Sequence, residues 1–333
     1  MPPGLIFITG ATGFIGSTVA LQALKAGYSL RISIRKESQI PNLKKILGQF
    51  EDKIDFVVVP DISLESSFAG KLDGADYVFH LASPLPHGTD KETYFTPAVK
   101  GTTAILREAA KVSTIKRVVI TSSMAALVPL RGVPEGGVIR ENNGWDLTVD
   151  QNADFTSPDD GATSFRLYHA SKLLANNAGW GFKNAEKPHF SLVTLHPAYV
   201  YGHNYVQASP EVQGGTNRML WGTVMTGQPV GNITGVHVQD VAEAHINALN
   251  EKVPDGSKFL LAGKKAFWSD VARIVRRDYP GIGAKINEDI SGESYPVDTI
   301  EAEEVLRMKW RSLDQMVKDV LDQQLGLMDK AAM

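Results

Sequence analysis

The chain reads as an α/β protein built on a doubly wound parallel sheet with a smaller C-terminal domain. Two observations predict this. Short apolar runs at Ser29–Ile34, Phe56–Val59, Tyr77–Leu81, Arg117–Thr121 and Ser191–Leu195 alternate with helical stretches around 14–26, 92–111 and 164–183, and such alternation builds parallel sheets through crossover helices. The first apolar run, Leu5–Thr9, enters the glycine-rich segment Gly10-Ala11-Thr12-Gly13-Phe14-Ile15-Gly16 and an amphipathic helix that stops at Gly27. At 333 residues, 43% hydrophobic and 21% charged, the chain can bury a sizeable core, as one large or two modest domains.

Each element has a local reason. Gly10 allows a tight turn, Gly13 lets backbone approach a pyrophosphate, and Gly16 lets the helix pack closely on the sheet. Free N–H groups at the helix start then receive phosphate charge, so the Rossmann-type loop is a dinucleotide site. Its G-x-x-G-x-x-G spacing departs from the usual G-x-G-x-x-G. Two stretches break the alternation. Residues 129–163 are rich in Gly, Pro, Asp and Asn, and residues 202–235 in Gly, Gln and Asn. Both are expected to be long loops with only patches of regular structure, walling a pocket. Helical patterns at 268–279 and 312–326 complete the C-terminal part. The expected division is residues 1–196, with about 233–255, as the nucleotide-binding domain, and residues 197–232 and 256–330 as a substrate-binding domain.

Tyr168-His169-Ala170-Ser171-Lys172 carries the chemistry. Four residues apart on a helix, the phenol and the ammonium share a face. A free tyrosine titrates near 10, and proton transfer at neutral pH is helped by a cation that stabilises phenolate; a shift of three units corresponds to roughly 4 kcal/mol. Taken alone, the pattern is weak and reads more readily as a surface helix with a snorkelling lysine. The glycine loop decides between the two.

With both motifs present, the chain resembles the extended short-chain dehydrogenase/reductase family, in the branch of dihydroflavonol reductases, cinnamoyl-CoA reductases and fungal NADPH-dependent reductases. Further segments carry the resemblance: Val59-Pro60-Asp61-Ile62, His80-Leu81-Ala82-Ser83-Pro84, Val119-Ile120-Thr121-Ser122-Ser123, His196-Pro197-Ala198-Tyr199-Val200-Tyr201-Gly202 and His237-Val238-Gln239-Asp240-Val241-Ala242.

The resemblance implies NADPH/NADP+ as coenzyme. Thr9, Gly10, Thr12, Gly13, Phe14, Ile15 and Gly16 would form the phosphate loop, and Arg35, with Lys36 beside it, would hold the 2′-phosphate where NAD-specific folds place an acid. Arg31 and Lys44 are weaker candidates. Asp61 and Ile62 would meet the adenine, Leu81, Ala82, Ser83 and Thr121 would line the crevice, and Pro197 and Val200 would meet the nicotinamide. By role, Ser123 binds the substrate carbonyl, Tyr168 delivers the proton, and Lys172 holds the nicotinamide ribose and lowers the tyrosine pKa. Ser122 is the alternative hydroxyl. Pro84, Met124, Tyr199, His203 and Tyr205 are candidate pocket residues, with a surface loop as the other reading of the last two. The expected reaction is reduction of a ketone or aldehyde on a moderately apolar small molecule.

Two alternatives keep the same fold. A nucleotide-sugar epimerase or dehydratase uses the Tyr/Lys pair, but dehydratases of this type place Asp-Glu after the serine, where this chain has Met124-Ala125. A non-enzymatic NADP-sensing regulator would not need Ser123, Tyr168 and Lys172. Other classes are disfavoured. A net charge of −3 argues against a nucleic-acid binder, and the absence of cysteine excludes disulfides, thiolate metal sites and a cysteine nucleophile. His80, His196, His203, His237 and His245 lack metal-ligand spacing, so no metal is expected. The start, Met1-Pro2-Pro3-Gly4, lacks a basic flank and the apolar run after it is too short for a signal peptide or a membrane span, so the expected setting is cytoplasmic, as a monomer or homodimer.

Overall fold

Seven parallel strands form the central sheet of the computed structural model, which describes residues 4–332 apart from Pro84, Pro86, Val212 and Gln213. In chain order the strands of this sheet are β1 (Leu5–Thr9), β2 (Ser29–Ile34), β3 (Ile54–Val58), β4 (Tyr77–His80), β5 (Arg117–Thr121), β6 (Ser191–Pro197) and, after two short strands named below, β9 (Lys258–Leu261). Their spatial order is β3-β2-β1-β4-β5-β6-β9. The order reverses between β1 and β4, and a crevice at the carboxyl ends of these strands is where such sheets bind ligands.

Helices cover both faces, as expected of apolar parallel strands. One face carries α1 (Phe14–Lys25), α2 (Ile40–Leu47) and α6 (Val238–Asn247), whose Val19, Leu24, Leu43, Leu47, Val241 and Ala244 are buried with Ile6, Ile8 and Ile32 of the sheet. The other carries α3 (Glu92–Lys111) and α4 (Asp160–Glu186), whose Ile105, Leu106 and Phe182 are buried with Phe7, Val78, Val118 and Leu192. Asp159 caps α4 by accepting from the Ala162 amide at 2.8 Å, which satisfies one of the orphan donors of the first turn.

The remaining elements gather beyond the sheet. The two-stranded parallel pair β7 (Tyr199–Tyr201) and β8 (Gly235–His237) packs with α5 (Gly215–Thr226), α7 (Trp268–Asp278) and α9 (Leu313–Ala332) around Tyr201, Leu220, Trp268, Val317 and Leu321, and the short α8 (Ile300–Val305) lies between α7 and α9 in sequence.

The sequence reading placed most elements within two residues. Its third strand started late, at Phe56 rather than Ile54, because Ile54-Asp55 breaks the apolar run. It missed α2, α6 and β9 and underestimated α4, which starts at Asp160. Residues 129–159 hold no helix longer than a turn and no named strand, whereas the expected loop at 202–235 contains the twelve-residue α5.

Candidate active site

The crevice is built from strand ends. Gly10 follows β1 with φ +79°, and a Cβ there would approach the Ala82 nitrogen to 2.8 Å, so the turn after β1 can lie against the end of β4 only as glycine. Thr9 locks the two strands together. Its hydroxyl contacts His80 Nδ1 at 2.9 Å and accepts from the Leu81 and Ala82 amides at 3.2 and 3.1 Å. The Thr9 side chain, expected in the phosphate loop, is thus fully buried and spent on framework.

The start of α1 is open. Gly13 is its N-cap with no side-chain hydrogen bond, and the first turn holds no acidic residue. A Cβ at Gly13 would reach only the Gly10 carbonyl, at 3.4 Å. An uncapped helix start with a bare backbone suits a pyrophosphate. At the end of β2, Arg35 and Lys36 are exposed, and their amides donate to Gln39 Oε1 at 2.9 and 3.4 Å. Arg35 is close enough to Asp61 to favour its ionised form, although the larger causes are the hydrogen bonds from Ser63 to that carboxylate. Arg31 and Lys44 are engaged elsewhere: Arg31 pairs with Asp55 at 2.8 Å and donates to the Lys71 and Asp73 carbonyls, and Lys44 pairs with Glu51. Both already have protein partners.

Ser123, Tyr168 and Lys172 converge from two elements. Ser123 follows β5 and caps the single turn Met124–Leu127, its hydroxyl accepting from the Ala125 amide at 3.2 Å. It stands close enough to the Tyr168 phenol to lower its pKa by hydrogen bonding, while burial pushes that pKa up and prevails. Lys172, one turn later on α4, is 6% exposed. Its Nζ donates to Ser83 Oγ at 2.7 Å and lies 5.3 Å from the Tyr168 ring centroid. Burial pulls the ammonium down to about 8. The expected depression of the tyrosine pKa by Lys172 is therefore corrected: burial raises it, and the group that opposes the rise is Ser123. The ammonium is turned toward Ser83, and the phenol is held protonated.

Neighbouring residues set this frame. His196, fully buried and lowered to about 3 by burial, contacts Thr194 Oγ1 at 2.8 Å and the Ser123 carbonyl at 3.1 Å. It anchors the serine's backbone. His169 contacts the Val128 carbonyl at 2.9 Å, holding the turn after Ser123 on α4. Thr121 Oγ1 meets His245 Nε2 at 2.7 Å. Ser122 lines a small cavity with Lys172 and donates its amide to the Leu195 carbonyl at 2.7 Å.

The pocket candidates separate. Tyr199 is raised to about 12, chiefly by burial and then by Tyr295, with Tyr168 a smaller contributor, so these phenols are neighbours. Phe165 is 46% exposed, with its ring 6.3 Å from that of Tyr168. Phe165 and Tyr295 went unnoticed in the sequence, where only the one-turn spacing of Phe165 from Tyr168 could have signalled it. Met124 is buried against Leu127, Val128, Ile139 and Leu260 and acts as core. His203 and Tyr205 pack edge to face at 4.9 Å, and Tyr205 leans on the core beside α1 and α6. Pro84 lies outside the described residues. Ile62 packs beneath the sheet near Gly101, and Val200 is buried in the core. A roomier cavity of about 450 Å³ lies between α7 and α9, lined by Lys264, Arg273, Arg277, Trp310 and Arg311 and by none of the residues above. Among the described residues no cluster of potential metal ligands occurs and no helix is long and apolar enough to cross a membrane. His237 is structural, capping α6 through the Gln239 amide and contacting Asp319 at 3.0 Å.

Known proteins share this architecture over the whole chain. A ketoreductase of Aspergillus fumigatus is 54% identical over 326 residues, covering 96% of this chain and 97% of the relative. A Gibberella moniliformis protein named as an NAD-dependent epimerase/dehydratase is 31% identical, covering 95% and 94%. The crystal structure of Candida albicans Gre2 in complex with NADPH superposes with a TM-score of 0.83 at 26% identity, covering 98% of this chain and 99% of that one. Residues 7–275 match the 3-beta hydroxysteroid dehydrogenase/isomerase family. With the open helix start, the strand-end crevice and the serine, tyrosine and lysine gathered beside it, the chain belongs to that family, within the extended short-chain dehydrogenases/reductases.

Proposed function

We propose that the protein is an NADPH-dependent reductase that converts a ketone or aldehyde on a moderately apolar small molecule to an alcohol. The observation that carries this reading is the meeting of Ser123 and Tyr168, with Lys172 buried one turn away, beside the crevice where the sheet order reverses. The resemblance to a ketoreductase and to the NADPH complex of Gre2 supports it.

The residues divide the work. Gly10, Gly13 and the start of α1 would hold the pyrophosphate, and exposed Arg35, with Lys36, the 2′-phosphate. NADPH supplies a hydride when bound. Ser123 would donate a hydrogen bond to the substrate carbonyl oxygen, and Tyr168 would transfer its hydroxyl proton to that oxygen as negative charge develops. A phenol kept protonated by burial is the right starting state for reduction. Lys172 would then stabilise the phenolate and hold the nicotinamide ribose, moving part of its bonding from Ser83 to do so. Phe165, Tyr199 and Tyr295 would give the substrate's body an aromatic wall supplied partly by the C-terminal elements.

The test is a panel of ketones and aldehydes with NADPH, followed by loss of nicotinamide absorbance. Stoichiometric NADPH consumption with an alcohol product supports net reduction. Tightly co-purifying NAD, turnover of a UDP-sugar and no net absorbance change would replace it by the epimerase reading, to which the 31% relative points.

A further inference from the structure

The cavity of about 450 Å³ between α7 and α9 shares no residue with the crevice that holds Ser123, Tyr168 and Lys172. Folded interiors leave few voids larger than a water molecule, and hollows of about 300–1,000 Å³ are the size that takes small ligands. Five cations line this one, against two carboxylates, in a chain whose net charge is −3. The excess is local. Lys265 pairs with Glu293 at 2.6 Å, and Arg311 with Asp240 and, at 3.6 Å, with Glu243. None of these three carboxylates lines the cavity.

Donors remain after the pairings. A guanidinium carries five N–H groups in a fixed fork. Arg273 spends one amino group on Asp270. Arg277 spends its Nε and Nη2 on Asp278, at 2.7 and 2.6 Å, and on Asp314 at 2.7 Å, which leaves Nη1. Lys264 is exposed and has no carboxylate partner among the described residues. The buried part of the lining has the opposite character. Ile233, Ala266, Ile274 and Met316 belong to the C-terminal core, and Trp310 stands beside them. The Trp310 indole N–H already donates to Glu303 Oε1 at 2.7 Å and to Thr299 Oγ1 at 3.2 Å, so what it offers the cavity is ring carbon. A bare inorganic anion would leave the apolar lining wet, and an uncharged apolar molecule would leave the spare donors unused. A molecule with both parts uses the whole lining.

We propose that this cavity is a second ligand site, for a small amphipathic anion whose carboxylate or phosphate is held by Arg273, Arg277 and Lys264 and whose aryl or acyl body lies against Trp310 and the apolar lining. Arg273 and Arg277 stand one turn apart on the same face of α7, and their planar forks suit two-pronged recognition of an oxyanion. The site is independent of the catalytic reading, and its occupant binds together with NADP+.

Calorimetric titration of the NADP+-saturated protein with naphthyl phosphate and with decanoate tests this and separates phosphate from carboxylate as the anionic group. At least one of them should bind about tenfold more tightly than inorganic phosphate and than the uncharged naphthol, since hydrogen bonds to charged groups and apolar burial each contribute. Arg273→Gln and Arg277→Gln should each weaken that binding about tenfold, and Lys264→Gln about threefold, with NADPH affinity unchanged. Lys264→Gln carries the mutational test alone if the arginine variants fail to fold, because its side chain is exposed and leaves no partner behind. No binding of either probe at millimolar concentration, affinities no better than those of phosphate or naphthol, or affinities unchanged in every variant that folds would overturn the proposal. Binding to the free protein that vanishes at NADP+ saturation would place the probe in the nucleotide crevice and overturn it as well. A protein that binds these anions but reduces no carbonyl compound would keep this site and lose the catalytic reading, and the converse result would do the opposite.

Discussion

Lys172 should be a residue that the protein keeps at the expense of its own stability. In the unliganded chain its pKa falls from 10.5 to about 8 because the side chain is buried. At roughly 1.4 kcal/mol per unit, the folded state is penalised by about 3 kcal/mol wherever the unfolded lysine is charged. The sign follows from the two pKa values. Below pH 8 both states are protonated and the penalty is complete; between 8 and 10.5 the folded lysine is neutral and the penalty shrinks; above 10.5 it vanishes. Replacing Lys172 by Met removes the charge and keeps most of the volume. Urea unfolding of unliganded Lys172→Met at pH 7 should therefore show a gain in stability of up to about 3 kcal/mol, reduced by the lost bond to Ser83, and the gain should fade as the pH is raised toward 10. Carbonyl reduction should be lost in the same variant. A variant less stable than the parent at pH 7, or a difference that does not shrink with pH, would mean that the ammonium is a structural member whose hydrogen bonding outweighs the cost of its burial.

Three further substitutions probe the rest of the crevice. Arg35→Ala should weaken NADPH binding by about 2 kcal/mol while leaving NADH nearly unchanged, read by titration with each cofactor; equal losses would remove the 2′-phosphate role. Ser123→Ala should reduce turnover more than Ser122→Ala, because Ser123 stands against the phenol whereas Ser122 lines the cavity behind Lys172; the reverse order would exchange their assignments. Thr9→Val keeps shape but takes the hydroxyl from the Ala82 amide and His80, while the Leu81 amide retains the Thr9 carbonyl, so the fold should lose about 2 kcal/mol and NADPH affinity should drop with it, as the end of β4 loosens. Unchanged stability would show that these groups find other partners.

Local rules made the cofactor side of the fold legible. Leu5–Thr9 followed by spaced glycines specifies strand, turn and helix start, and Gly10 has the positive φ that the turn requires. Tyr168 and Lys172 were legible for the same reason, since one helical turn fixes their relation. What stayed hidden depends on contacts across many residues. Thr9 looked like a loop residue and is a strap between β1 and β4 across 71 positions. Lys172 looked like the tyrosine's cation, yet its nearest partner is Ser83, 89 positions away. Asn176 sits four residues beyond Lys172, a spacing readable in the sequence, but nothing short of the packed structure shows its oxygen to be without a hydrogen-bond partner among the described residues. The short strand β9, an edge strand whose Leu260 amide is capped by Glu141 at 2.7 Å, is ordered by tertiary pairing rather than by its own four residues.

The most direct measurement is single-turnover reduction by Tyr168→Phe with NADPH bound. The substitution removes only the hydroxyl, so the nucleotide should bind with near-parental affinity while the chemical step slows by several orders of magnitude, as expected when a general acid is removed from the transition state. A phenylalanine variant that oxidises NADPH against the same carbonyl compound at close to the parental rate would place the proton donor elsewhere and contradict the assignment of Tyr168.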